Sequence, residues 1–181
     1  MSDFYNAEPL EQLAINLFHG WGYNFYRKEN QLRADDLLIR GKVGALLGMA
    51  RKSLEEAQSE YRREYLPEPT REHPDFDPKA LANAQAIERL SRELGNLSGL
   101  ISAQPVPEND RMTQRYRREA ATLQRLLEAD KRLVGQAELL RTTVQRKDGV
   151  WLVANQSTVR DGIAAIADSL RQREALLFPP A

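Results

Sequence analysis

The chain has 181 residues, with 26 Lys and Arg against 26 Asp and Glu, so its formal net charge is zero. That balance announces neither a nucleic acid nor a membrane surface as a partner. There is no cysteine, which excludes disulfide frameworks, thiolate metal sites, iron–sulfur clusters and a cysteine nucleophile, and fits a reducing, cytoplasmic setting.

The length favours a single domain over 1–181. The first residues, Met1-Ser2-Asp3-Phe4, are acidic and do not read as a secretory signal. No stretch reaches the ~18 apolar residues of a membrane span.

Proline sets the organisation. The nine prolines stand at 9, 67, 69, 74, 78, 105, 107, 179 and 180. Because proline breaks helix interiors, the gaps between them are where long helices are allowed. A short helix is expected from Pro9, carrying Leu10, Leu13, Ala14, Leu17 and Phe18. It lies within an N-terminal aromatic segment, 1–30, that holds seven of the 13 aromatic residues. Gly20 and Gly22 bracket Trp21, so a turn interrupts the helix there. The segment reads as a cap over one end of the fold. Its alternative reading is a ligand pocket lined by His19, Trp21, Tyr23, Tyr26 and Arg27.

The next gap holds Ile39, Val43, Leu46, Ala50, Leu54, Ala57, Tyr61 and Tyr65 at steps of three and four, the period of an amphipathic helix. Gly41, Gly44 and Gly48 fall within ~60° of one another on the opposite face of that helix. Glycine inside a helix costs ~1 kcal/mol against alanine, so three on one face call for a close neighbour. The candidates are residues 1–26, a second subunit or a ligand.

After a proline-rich and acidic joint at 67–77, Asp77-Pro78 marks a helix start. Ala80, Ala84, Ile87, Leu90, Leu94, Leu97 and Ile101 carry the period onward. A second joint, Gln104 to Pro107, leads to a helix expected over 108–147 with Met112, Tyr116, Leu123, Leu127, Val134, Ala137, Leu140 and Val144 inward. Residues 111–147 hold ten basic and four acidic side chains. Arg111, Arg118, Arg125 and Arg132 recur every seven residues opposite the apolar face, and Arg146 continues the row. This stripe reads as a solvated or partner-facing surface, with a nucleic-acid rail as its sharper form. Glu119, Asp130 and Arg141 share the apolar phase, which points to buried ion pairs or an exposed bundle edge.

Residues 148–156 are expected as a loop, with Gly149 beyond a helix end, or as a small hairpin around Lys147-Asp148-Gly149. A last helix with Val159, Ile163, Ile166, Leu170 and Leu177 follows, capped by Asn155 or Ser157.

The expected fold is therefore all-α: an antiparallel bundle of four long helices with a short N-terminal helix and an aromatic-rich cap. No catalytic motif is present. His19 and His73 lack the acid three residues upstream that a di-iron bundle uses. No metal, cofactor or catalytic residue is called for. The favoured function is a non-enzymatic interaction protein (scaffold, adaptor, chaperone or regulatory partner), binding another protein or its own copy through Gly41, Gly44 and Gly48 or through Arg111, Arg118, Arg125 and Arg132. The alternatives are a small-molecule- or cofactor-binding bundle, conceivably an enzyme, with its pocket at the aromatic end, and a nucleic-acid binder through 111–146.

Overall fold

The structure, a computed structural model, describes residues 2–22, 24, 32–69, 71, 75–104 and 119–177. Among them it is all-helical, with no strand. A 3-10 turn, Asp3–Tyr5, precedes α1 (Ala7–Trp21), α2 (Leu32–Tyr65), α3 (Pro78–Ala103), α4 (Glu119–Val144), the short helix α5 (Gly149–Ala154) and α6 (Gln156–Leu177).

Local chemistry sets the ends. α1 stops at Gly22, whose left-handed backbone (φ 67°) lets its N–H reach the carbonyls of Phe18 and His19. α3 starts where Asp77 accepts hydrogen bonds from the backbone N–H groups of Lys79 and Ala80, with Pro78 at its first position. The expected loop or hairpin at 148–156 is instead mostly helical. Asp148 accepts from the N–H of Trp151 at 2.7 Å and so starts α5 rather than turning a hairpin. Gly149 is the first residue of α5 and not a residue beyond a helix end; a Cβ there would lie 2.6 Å from Cβ of Tyr61. Asn155 alone separates α5 from α6, and its side chain reaches back to the Trp151 carbonyl at 2.9 Å.

The apolar period reads out as burial. Ile39, Val43, Leu46, Ala50, Leu54, Ala57 and Tyr61 are buried along α2, while Tyr65 is exposed. All seven residues named for α3 are buried. On α4, Leu126 and Leu133 join Val134, Ala137, Leu140 and Val144 in the core, and Leu127 is half-buried. Met112 and Tyr116 lie outside the described residues, as do the side chains of Glu119 and Leu123.

Cross-contacts give the neighbours and their directions. Arg40 meets Ile101 and Gln104, Glu55 meets Ser91, and Tyr61 meets Asn83, so α2 and α3 run in opposite senses. Asp130 meets Arg173 and Arg132 meets Gln172 between α4 and α6. α1 lies on α4 and ties Glu11 to Lys131 at 2.6 Å. Its backbone at Leu10 comes so close to Gly135 that a Cβ there would overlap the Leu10 carbonyl. The 3-10 turn inserts Phe4, 2% exposed, and the Phe4 carbonyl accepts from Gln136 at 2.9 Å. Beside it the Tyr5 hydroxyl donates to Asp168, and partial burial together with that carboxylate raises the pKa of the phenol.

No helix among the described residues is long and apolar enough to cross a membrane.

Candidate functional site

The N-terminal half of α2 has an unusual solvent side. From 37 to 50 the exposed positions are Leu37, Leu38, Gly41, Ala45, Gly48 and Met49, and none carries a polar side chain. Leu37, Leu38 and Met49 are 48%, 40% and 54% exposed. The C-terminal half of the same helix supplies the contrast. There the exposed positions include Arg51, Lys52, Glu55, Glu56, Glu60, Arg62 and Arg63, paired in part as Arg51–Glu55 and Lys52–Glu56. A surface helix ordinarily keeps charged and polar residues on its outer face. The first half of α2 departs from that rule over about 18 Å of its length.

Gly41, Gly44 and Gly48 lie in this half, the first and last exposed and Gly44 half-buried. A Cβ built on any of the three meets no described atom within 4 Å. No described residue therefore comes close enough to require glycine there. Lys42 borders the face, with its Nζ 5.1 Å from the ring centroid of Trp21.

A buried ionic network fixes how this face is presented. Asp36, 1% exposed, receives the Arg173 guanidinium at 2.6 Å, and Arg173, fully buried, also donates to Asp130 at 2.5 Å. Arg40 lies 2.8 Å from Asp36 Oδ2, an ion pair by distance whose angles are not those of a hydrogen bond, and donates to the carbonyls of Ile101 and Gln104. Asp35 is buried in the same turn. Charges leave water only when paired, and here the pairs join α2, α3, α4 and α6. With Asp36 and Arg40 held inward, Leu37, Leu38 and Gly41 must face outward.

The other sequence-derived candidates are placed as follows. His19 is exposed on the last turn of α1. Trp21 is half-buried, with its ring 5.7 Å from that of Phe18. Tyr23, Tyr26 and Arg27, the remainder of the aromatic-end pocket, lie outside the described residues, as do His73, Arg111 and Arg118. Arg125 and Arg132 are exposed, and Arg132 donates to Gln172 on α6 at 3.3 Å. Arg141 pairs within its own helix, with Glu138 at 2.6 Å, and that carboxylate raises its pKa. Among the described residues no cluster of three or more His, Asp or Glu side chains is placed to hold a metal ion.

Sequence reasoning singled out Asp130 but missed its partner. Arg173 continues the run Val159–Ile163–Ile166–Leu170 by one more step of three, and Asp36 and Arg40 flank Ile39 on its apolar phase. That phase was the available signal.

Comparison of the chain with protein-family models, curated proteins and solved structures returns no match.

Proposed function

We propose that this chain is a non-enzymatic interaction protein: an antiparallel bundle of four long helices, capped by its N-terminal helix and aromatic segment, that offers the first half of α2 to another protein surface. One observation carries the reading. The exposed positions of α2 over 37–49 bear no polar side chain, with the half-buried Lys42 at their border, although the same helix is densely charged from Arg51 onward. Three glycines there weaken the helix without serving any described internal contact. Local rules broken without an internal gain are expected where a surface works. Removing such a face from water on docking is favourable at ~25 cal/mol per Å².

A native mass spectrum of the chain purified from its own source tests this. Protein-only assemblies that disperse when Ala45 is replaced by arginine are the expected result. A bound metal, nucleotide or other small molecule, with no protein assembly, would overturn it and move attention to the aromatic end.

A further inference from the structure

We infer that the socket under Phe4 is a binding site for an extended peptide segment carrying a phenylalanine, and that the chain's own N-terminus fills it as an autoinhibitory strap. The socket is built on α4 and α6 and is independent of the α2 face.

The N-terminal turn is held by one side chain. Between Asp3 and Pro9 only Phe4 is buried. Its ring enters between two helices: a Cβ built on Gly162 of α6 would stand 2.7 Å from Cζ of Phe4 and 2.9 Å from Cδ1 of Leu140 on α4. Glycine weakens the interior of α6, and the space that it frees is the space the ring occupies. The bonds from the N–H groups of Tyr5 and Asn6 to the carbonyls of Ser2 and Asp3 stay within the turn. Two described hydrogen bonds tie the turn to α4 and α6, one from Gln136 to the Phe4 carbonyl and one from the exposed Tyr5 hydroxyl to Asp168. Releasing the strap therefore breaks one apolar anchor and two hydrogen bonds, and no helix.

Gln136 shows what the strap leaves unmet. It is fully buried, and its Oε1 has no hydrogen-bond partner among the described residues. Its orientation is fixed, because the Nε2 donor must face the Phe4 carbonyl. A primary amide offers a donor and an acceptor side by side, which matches the N–H and C=O that one extended residue turns to the same side. Phe4 lies in a 3-10 turn, where N–H and C=O point in opposite senses along the axis, so it engages the donor alone. A buried acceptor without a partner is costly, and an extended phenylalanine in the same socket meets both atoms. That gain favours an outside peptide. The tether favours the strap, since it presents Phe4 at an effective concentration of about millimolar or above.

The test is the thermal melt of the full chain carrying Phe4→Ala, with N-acetylphenylalaninamide, toluene or N-acetylalaninamide at about 5 mM. The capped phenylalanine should raise the melting temperature more than toluene does, and N-acetylalaninamide should leave it unchanged. Adding Gln136→Leu should bring the shift from the capped phenylalanine down to that from toluene. The wild type should bind the capped phenylalanine at least tenfold more weakly than the variant, because Phe4 competes. If Phe4→Ala does not fold, Phe4→Leu takes its place with the same expected order. A toluene shift equal to that of the capped phenylalanine would mean a dry cavity alone and overturns the inference. The absence of any shift overturns it too, as does a wild type that binds as tightly as the variant.

Discussion

Arg173 is a fully buried guanidinium, and its value to the fold lies in its partners. It spans from α6 to Asp130 on α4 and Asp36 on α2. Replacing it with methionine strands two buried carboxylates, a change that costs about 3–5 kcal/mol. Urea unfolding of Arg173→Met should show that loss, and a change under 1 kcal/mol would mean that the carboxylates find water. Asp130→Asn should cost less, because the amide keeps an acceptor for the guanidinium. Gly135 is a second decisive residue. Alanine there collides with the Leu10 backbone, so Gly135→Ala should lift α1 off α4. We expect destabilisation of about 1–3 kcal/mol, as for other overpacked sites. Faster hydrogen exchange confined to α1 and its seat on α4 would locate the damage.

At the scale of elements, the helices were legible and the reasons for particular residues less so. Proline gaps and the apolar period placed α1, α2, α3 and α6, and the buried list follows the predicted phases closely on α2 and α3. The segment 148–156 was misread because Gly149 reads as a residue beyond a helix end and Asp-Gly as a turn signal, whereas here the Asp148 carboxylate caps a helix. Asp148→Ala should therefore cost about 1 kcal/mol by thermal melting, and an unchanged melt would deny the cap its role. Glycines were legible only in part. The stripe at 41, 44 and 48 meets no described atom, while close approach within the chain occurs at Gly135, Gly149 and Gly162. A residue pattern shows that a helix tolerates contact, and only the fold shows which glycines the chain itself uses. Charge was partly legible. Asp130 was read from its phase, whereas Arg173 and Arg40, which carry the same signal, were passed over because long basic side chains are usually read as surface.

For the molecule as a whole, a rigid end and an open face belong together. The ionic network joins α2, α3, α4 and α6 around Asp36 and Arg40, and those two inward residues leave Leu37, Leu38 and Gly41 outward. A partner then meets a face already set in place, which limits the ordering cost of binding. The same logic links stability to association with opposite signs. Replacing Gly41, Gly44 and Gly48 together by alanine adds helix propensity of up to about 1 kcal/mol each at positions where a Cβ meets no described atom within 4 Å. The added methyl groups also fill the small middle of the face and hold a docked surface further off. The decisive experiment is a native mass spectrum of the chain purified from its own source, wild type beside Ala45→Arg. The wild type should carry a bound protein that Ala45→Arg loses while keeping the same fold. A wild type that carries no protein, or a partner that Ala45→Arg retains, would contradict docking on the α2 face.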